Sequence, residues 1–209
     1  MIRFFYSPQS SATRVHVALE ELGVPYEKVR IHLDKGDQRK PEFLAINPNG
    51  QIPALTDGDA KVFESLACLL YLGDRYGVEK GMWPKLGTPE HADALSWTVW
   101  ANTELAASVV DFALHGCDLA WAHPKEDRSA VVAKTAREEW TAKVALVDQR
   151  LEGREWLAGK SFTLADVAVG MVVGMGKMIC GLPIDGKNVG GWVGRVTTRP
   201  AFGRVMSGG

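Results

Sequence analysis

The sequence contains few cysteines, and their spacing does not suit cross-linking or metal binding. Only three occur among 209 residues: Cys68, Cys117 and Cys180. An odd number without paired spacing argues against a disulfide framework and against a zinc site. The opening residues MIRFFYSP also lack the basic start, apolar run and cleavage site of a signal peptide. We therefore predict a reduced, cytoplasmic protein that binds no metal.

Two further features are missing from the sequence. Neither sign of charge dominates, because 24 Lys and Arg residues nearly balance 25 Asp and Glu residues and leave a net charge of −1. The longest apolar run, Ala168 to Leu182, is interrupted by Lys177 and is shorter than the roughly 20 residues that span a bilayer. Nucleic acid and membranes are therefore not expected partners.

The first third of the chain alternates between strand and helix patterns. The apolar stretch Ile2 to Tyr6 and the period-two stretch Tyr26 to Ile31 predict two strands. Between them, apolar residues recur at i, i+3, i+4 and i+7, as in an amphipathic helix: Val15, Ala18, Leu19 and Leu22. A β-α-β unit of this kind has parallel strands and a right-handed crossover.

Four shorter elements follow in the same part of the chain. Pro41 to Ile46 predicts a helical turn, two short strands flank the turn at Asp57 to Asp59, and Ser65 to Tyr76 predicts a helix. The next stretch is rich in Gly, Pro and Lys without periodicity, which is typical of a linker. The predicted order up to this linker is β-α-β-α-β-β-α.

The remainder of the sequence predicts helices and no strand. Long amphipathic patterns run from Glu90 to Leu114 and from Glu126 to Leu151. FTLADVAVG starts another helix, where Thr163 and Asp166 have the spacing of a capping box. We therefore predict two domains and a linker: an α/β domain at 1–77, the linker at 78–89 and an all-helical domain at 90–209.

Hydroxyl side chains crowd the turn between the first strand and the first helix, in the stretch SPQSSATR from Ser7 to Arg14. One interpretation is capping, because such hydroxyls satisfy unpaired N–H groups of the first helical turn. The other is chemical: a helix N-terminus attracts anions, and a free hydroxyl can donate a hydrogen bond to a thiolate or an oxyanion. The turn has no C-x-x-C motif, so dithiol chemistry is not predicted.

A second candidate site comprises NPNGQIPAL and the FES that follows it. Pro53 begins a short strand, a position where proline is tolerated at a sheet edge. If the Ile52–Pro53 bond is cis, the N–H and C=O groups of Ile52 face outward and can pair with an extended peptide. Glu64 and Ser65 start a helix, where Ser65 can be a plain N-cap or part of an anion site. The implied ligand is a short peptide with a carboxylate and a thiol.

Four motifs, taken together and in this order, resemble those of the cytosolic glutathione S-transferases: NPNGQIPAL, FESLACLLYLGDRYG, FTLADVAVG and RPAFGRV. The resemblance covers nearly the whole chain. It implies a bacterial-type member whose first turn has a serine-type motif. It implies a thioredoxin-like N-terminal domain, an all-helical C-terminal domain, glutathione as cosubstrate and a homodimer.

The resemblance also implies which residues bind glutathione. Ile52 would pair with the cysteinyl backbone, beside a cis Pro53. Glu64 and Ser65 would hold the γ-glutamyl end. Two residues would lie nearer the glycyl end: Gln51 and Arg39.

The residue that activates the thiol has two candidates under this resemblance. Alignment with serine-type members, in which the first hydroxyl of a Ser-Ser pair acts, favours Ser10. Alignment from the helix with bacterial members that carry a cysteine at this turn favours Ser11. Tyr6 lies close to the position of the catalytic tyrosine in other classes, although its spacing fits less well. We expect Ser10 to act, with Ser11 as the alternative.

The electrophile pocket is expected to draw on the turn after the first strand and on the long helix from Glu90. Its candidate residues are Tyr6, Trp100, Thr103, Glu104 and Ala107. An aromatic stripe at helical spacing is more often typical of core or dimer packing than of a substrate pocket.

The predicted function is conjugation of the glutathione thiolate to small hydrophobic electrophiles, as in detoxification. A glutathione-dependent peroxidase, isomerase or dehalogenase would use the same thiolate. A non-catalytic module that only binds glutathione is the alternative outside the enzymes.

Overall fold

The computed structural model describes residues 1–208, which form two compact units. One unit comprises Met1–His91 together with the C-terminal segment that begins at Arg199, and the other comprises Ala92–Thr198. The domain limits predicted from the sequence, with an α/β domain at 1–77, a linker at 78–89 and a helical domain at 90–209, stay a prediction.

The first unit is built on a four-stranded mixed sheet. Its strands are β1 (Ile2–Tyr6), β2 (Tyr26–Arg30), β3 (Ala54–Asp57) and β4 (Ala60–Phe63), in the order β2-β1-β3-β4. The strands β1 and β2 are parallel, as the β-α-β pattern predicts, whereas β3 is antiparallel to both β1 and β4. Three helices complete the predicted order β-α-β-α-β-β-α: α1 (Ala12–Leu22), α2 (Pro41–Leu44) and α3 (Ser65–Leu72).

The apolar stripe of α1 is buried, which explains why this stretch is helical. Its four residues are each at most 1% exposed: Val15, Ala18, Leu19 and Leu22. Gly23 ends the helix in the left-handed conformation (φ 58°), and its N–H donates to the Leu19 carbonyl. A second buried cluster supports Ile52, which packs against it: Phe5, Ile31, Phe43 and Ala54. The segment predicted to bind a peptide therefore rests on a fixed core.

The second unit is helical, and its described residues contain no strand. Its helices are α4 (Pro89–Trp100), which enters this unit at Ala92, α5 (Ala106–Gly116), α6 (Ala130–Arg150), α7 (Leu164–Cys180) and α8 (Val189–Thr197). A π-helical turn, Ala101–Leu105, joins α4 to α5. The predicted all-helical architecture is confirmed. None of the helices within residues 1–208 has the length and apolar character needed to cross a membrane.

The helix α9 (Pro200–Met206) packs on α1 and so belongs to the first unit. The Arg199 guanidinium donates two hydrogen bonds to the Glu21 carboxylate, at 2.6 and 2.7 Å, and Arg204 donates one to Glu20 at 2.6 Å. A bidentate arginine–carboxylate pair fixes the relative orientation of its two side chains and also contributes stability. The sequence gives no sign of this attachment, because Arg199 and Glu21 are 178 positions apart.

Asp166 is the polar centre of the helical unit. It is fully buried, and its carboxylate accepts hydrogen bonds from the Leu157 and Thr163 backbone N–H groups, both at 2.9 Å. It also accepts from the Thr163 hydroxyl at 3.1 Å and from the Trp192 indole at 2.9 Å. Burial raises the pKa of this carboxyl, against the effect of its hydrogen bonds. The predicted capping box at Thr163 is confirmed, and it also connects α7 to α8.

Gly176 in α7 lies against the ring of Trp140, which is fully buried. A Cβ atom at position 176 would lie 2.6 Å from that ring. Because the ring or the helix would have to move, we expect Gly176→Ala to lower the free energy of unfolding by about 1–3 kcal/mol in urea titrations. Gly194→Ala in α8 is the matched control, since a Cβ there meets nothing within 4 Å. An equal loss in the control would contradict the packing explanation.

Candidate active site

The hydroxyl of Ser10 is engaged in the turn that starts α1. It donates to the Ser7 carbonyl at 2.7 Å and accepts from the Ala12 backbone N–H at 3.2 Å. Ser10 is half-buried in this position. The side chain therefore satisfies backbone groups at the start of the helix, which is the capping interpretation of this turn.

The hydroxyl of Ser11 has a different environment. Ser11 is exposed and immediately precedes α1. It caps no helical N–H group, and its hydroxyl donates to the Ile52 carbonyl at 3.5 Å, a long contact. Ser11 and Ile52 are 41 positions apart. The fold thus brings the first helical turn next to the predicted peptide-binding segment.

Arg14 adds a buried positive charge to this turn. It is the third residue of α1, and only 7% of its surface is exposed. Burial lowers the pKa of Arg14 to about 10, which still leaves the guanidinium charged at neutral pH. The sequence shows an arginine at this position but gives no sign that it is buried.

The bond between Ile52 and Pro53 is cis, as expected. The turn before it is held by Asn47, whose side-chain amide donates to the Gln51 carbonyl at 2.7 Å and whose oxygen accepts from the Asn49 N–H at 3.0 Å. Asn47 is 1% exposed, so its buried side chain stabilises the turn from inside the protein. Sequence reasoning assigned Asn47 no role, although an asparagine before Pro-x-Gly is typical of such side-chain-bonded turns.

Arg39 lies against the same turn. Gly50 adopts φ 61°, and a Cβ at this position would lie 2.9 Å from the Arg39 Nη1 atom and 2.9 Å from the Gln38 carbonyl oxygen. Only glycine lets the two segments approach so closely in this conformation. Gln51 and Arg39 are both exposed beside it. The two residues predicted for the glycyl end of the ligand are therefore neighbours of one turn.

Glu64 has an unusual backbone conformation at the start of α3. Its φ is 70° and its ψ is 129°, and its side chain is exposed. Such angles cost about 1–3 kcal/mol for a non-glycine residue and are concentrated at functional sites. Ser65 is the first residue of the helix and is 7% exposed, so the N-cap position belongs to Glu64 rather than to Ser65. The start of α3 is therefore a candidate binding position.

The residues predicted for the electrophile pocket lie in both units. In the first, the Tyr6 ring stacks on Phe4, with ring centroids 5.6 Å apart. In the second, the Trp100 ring meets Trp97 edge to face at 5.2 Å. The remaining three members all have exposed side chains: Thr103, Glu104 and Ala107.

Two of the exposed pocket candidates have polar contacts within the helical unit. The Thr103 hydroxyl donates to the Val99 carbonyl at 3.1 Å. The Glu104 carboxylate lies 3.9 Å from the Lys143 ammonium.

Across residues 1–208, no three His, Cys, Asp or Glu side chains are grouped so that they could hold a metal ion.

Comparison with known proteins decides the family. Residues 2–74 match the glutathione S-transferase N-terminal domain, and residues 111–200 match the glutathione S-transferase C-terminal domain. Glutathione S-transferase F10 of Arabidopsis thaliana is 31% identical, over 99% of this chain and 97% of that protein. The chain belongs to the glutathione S-transferase family. It is an enzyme of this class, as its sequence motifs predict.

Other relatives of this transferase carry related names. Glutathione S-transferase GstB of Escherichia coli is 31% identical, over 94% of this chain and 93% of that protein. The E. coli protein YfcG, named a disulfide-bond oxidoreductase, is 29% identical over 80% of this chain and 77% of its own length. The family therefore includes more than one named activity.

Solved structures agree with the fold of this transferase. A sphingomonad glutathione S-transferase, described as complexed with glutathione, superposes with a TM-score of 0.79 at 27% identity and covers 98% of this chain and 97% of its own. Glutathione transferase URE2P8 of Phanerochaete chrysosporium has a TM-score of 0.85 at 24% identity, over 99% of this chain and 93% of its own, and supports the fold alone. The thioredoxin-like and all-helical domains are confirmed.

Proposed function

We propose that this transferase binds glutathione in its first unit and that Ser11 donates a hydrogen bond to the glutathione thiolate, which then attacks a small electrophile. The observation that carries the proposal is the exposed Ser11 hydroxyl, 3.5 Å from the Ile52 carbonyl and at the N-terminus of α1. A cysteinyl residue paired with the Ile52 backbone would have its sulfur near that hydroxyl.

Thiolate stabilisation is the physical core of this function. A free thiol has a pKa of about 8.5, so it is mostly protonated at neutral pH. Each unit by which the site lowers the pKa of the thiol corresponds to about 1.4 kcal/mol of preference for the thiolate. A hydroxyl donor and the α1 N-terminus both lower the pKa of a bound thiol.

The geometry favours Ser11 over Ser10, although motif alignment alone favours Ser10. The Ser10 proton is donated to the Ser7 carbonyl at 2.7 Å, so a thiolate would have to displace an existing hydrogen bond. Ser11 gives up only a long contact to Ile52 when it turns toward a ligand. We therefore assign the catalytic hydrogen bond to Ser11 and a capping role to Ser10.

The remaining binding residues are proposed from their arrangement around the cis Ile52–Pro53 bond. Glu64 and Ser65 offer a carboxylate and a helix N-terminus to the γ-glutamyl end of glutathione. Gln51 and Arg39 offer polar groups to the glycyl end. Support also comes from a Pseudomonas fluorescens family member, 25% identical, that was solved with two glutathione molecules bound.

The proposal also includes the domain limits, the residues that contact the electrophile, the oligomeric state and the cellular compartment. The glutathione domain would comprise 1–77, the linker 78–89 and the helical domain 90–209. The residues proposed to contact the electrophile are Tyr6 in the first domain and, in the second, Trp100, Thr103, Glu104 and Ala107; each set stays a proposal by itself. We propose a cytoplasmic homodimer that acts on hydrophobic electrophiles in detoxification.

A conjugation assay tests the proposed function. The protein should be retained by immobilised glutathione, eluted by free glutathione, and should then turn over a chloronitrobenzene-type electrophile with release of chloride. Retention without turnover across several electrophile classes, including hydroperoxides, would contradict the proposal and favour a binding module. Turnover of hydroperoxides alone would move the assignment to a glutathione peroxidase.

Glu64→Gln tests the binding arrangement separately. The substitution keeps the shape of the side chain but removes the charge that would meet the γ-glutamyl ammonium. We expect the Kd for glutathione, measured by calorimetry, to rise about tenfold, since a charge-assisted hydrogen bond contributes roughly 1.5–3 kcal/mol. Glu79→Gln is the control, because Glu79 is exposed and lies after α3. Equal Kd values for both variants would remove Glu64 from the site.

A further inference from the structure

The π-turn, Ala101–Leu105, joins α4 to α5 within the helical unit. It is closed by a hydrogen bond from the Ala106 N–H to the Ala101 carbonyl, five positions back, whereas an α-helix pairs groups four positions apart. Single π-turns inside α-helices are rare and occur frequently at functional sites. Thr103 and Glu104, two of the residues proposed to contact the electrophile, lie in this turn.

Two side chains of the π-turn bond to carbonyl groups of α4. The Asn102 amide donates to the Thr98 carbonyl at 3.2 Å, and the Thr103 hydroxyl donates to the Val99 carbonyl at 3.1 Å. Each bond spans four positions of one continuous segment. These contacts satisfy carbonyl groups beside the π-turn, but they do not connect it to a neighbouring helix.

Lys143 of α6 connects the π-turn to a second helix. Its ammonium donates to the Glu104 backbone carbonyl at 2.9 Å and to the Glu139 carboxylate at 3.0 Å, and it lies 3.9 Å from the Glu104 carboxylate. Only 17% of the Lys143 side chain is exposed, against 58% for Glu104. Hydrogen bonds from a charged donor are stronger than those between neutral groups. Lys143 therefore ties both the backbone and the side chain of Glu104 to α6.

The register of the π-turn determines how the proposed electrophile contacts are arranged. In a regular α-helix, residues at i, i+3, i+4 and i+7 share one face. The four candidates of the helical unit have this spacing: Trp100, Thr103, Glu104 and Ala107. One additional residue in a turn rotates the helix that follows by about 100° relative to the helix that precedes it. A change of the π-turn to α-helical register would therefore move Ala107 relative to Trp100 and would reorient the two residues between them.

Helix stability does not by itself account for this segment. The Thr98 side chain is fully buried, and its hydroxyl has no hydrogen-bond partner among residues 1–208. A buried polar group without a partner destabilises a fold. A rare turn beside such a group is expected where the local geometry serves a site.

We propose that Lys143 is a positioning residue for the electrophile. By holding the Glu104 carbonyl and carboxylate, it fixes the register of the π-turn and thereby the placement of Thr103 and Glu104. The inference rests on the proposed function, in which these two residues contact the electrophile. Lys143 acts through Glu104 and is assigned no contact with either substrate.

Lys143→Met tests this role, because it removes the ammonium and keeps a long side chain. In steady-state kinetics with a chloronitrobenzene-type electrophile, we expect the KM for the electrophile to rise about tenfold while kcat stays within about threefold. The KM for glutathione should not change, since the residues proposed to bind glutathione belong to the first unit. Lys143→Arg keeps the charge and the donors, so its KM for the electrophile should stay within about threefold of the unmodified enzyme.

Hydrogen exchange gives a readout that is independent of catalysis. The Ala106 amide, which closes the π-turn, should exchange faster in Lys143→Met than in the unmodified protein. Lys134→Met is the matched control, because Lys134 also lies on α6 and pairs with a carboxylate four positions on, Glu138, but is 76% exposed. Neither the exchange of this amide nor the KM for the electrophile should change in the control.

The outcomes separate this inference from the function on which it rests. Absence of turnover in the unmodified protein would overturn the proposed function and the role of Lys143 with it. Normal turnover with an unchanged KM for the electrophile in Lys143→Met would overturn the role of Lys143 alone. The same role is excluded if Lys134→Met raises that KM equally, or if the KM for glutathione rises as much as the KM for the electrophile.

Discussion

Ser11→Ala is expected to lower kcat/KM for glutathione conjugation by about 100-fold at neutral pH. Removing one preorganised hydrogen-bond donor to an oxyanion typically lowers kcat by 10²–10³-fold. A thiolate in the same position depends on its donor in the same way. The loss should appear mainly in kcat, with the KM for glutathione little changed, because the peptide backbone contacts at Ile52 remain. Steady-state kinetics with a chloronitrobenzene-type electrophile measures both constants.

Ser10→Ala is the matched control for this prediction. Its hydroxyl joins the Ser7 carbonyl to the Ala12 N–H, so its loss removes a helix cap and should cost about 1 kcal/mol of stability. The kcat/KM of this variant should stay within about threefold of the unmodified enzyme. If Ser10→Ala loses 100-fold in kcat/KM and Ser11→Ala does not, the catalytic hydrogen bond belongs to Ser10, as motif alignment suggests.

Asp166→Ala is expected to reduce the free energy of unfolding by about 4 kcal/mol. The carboxylate accepts four hydrogen bonds from Leu157, Thr163 and Trp192, and its loss leaves buried donors without an acceptor. Each unsatisfied buried group costs roughly 1–3 kcal/mol, and partial relaxation keeps the sum below the simple total. Urea unfolding followed by tryptophan fluorescence gives the value directly.

The control for Asp166→Ala is Asp111→Ala, a substitution of an exposed aspartate on α5. It should change the free energy of unfolding by less than about 0.5 kcal/mol. Comparable losses in both variants would show that the helical unit is sensitive to any loss of negative charge, and would contradict a specific role for the buried network. Glutathione affinity of folded Asp166→Ala should match the unmodified protein.

Much of the fold could be predicted because the relevant signals are local. The period-two and i, i+3, i+4 patterns identify β1, α1 and β2, and the Thr163–Asp166 spacing identifies the start of α7. The cis bond at Ile52–Pro53 was also expected from the motif around it. For each of these features, the residues that determine the local structure lie within a few positions of one another in the sequence.

The details that sequence could not supply all depend on distant or directional contacts. Ser10 and Ser11 are chemically identical neighbours, and only the direction of each hydroxyl distinguishes the cap from the side chain that makes one long contact to Ile52. The positive φ of Glu64 has no sequence signal, because glutamate is not a residue that favours it.

The ionisation of bound glutathione tests the central claim most directly. Ultraviolet absorbance of the thiolate, followed against pH with saturating glutathione and no electrophile, gives the pKa of the bound thiol. We predict a value about two units below the ordinary thiol value of about 8.5 in the unmodified protein and in Ser10→Ala. In Ser11→Ala the value should return most of the way toward that of a free thiol. An unchanged pKa of bound thiol in Ser11→Ala would contradict the account.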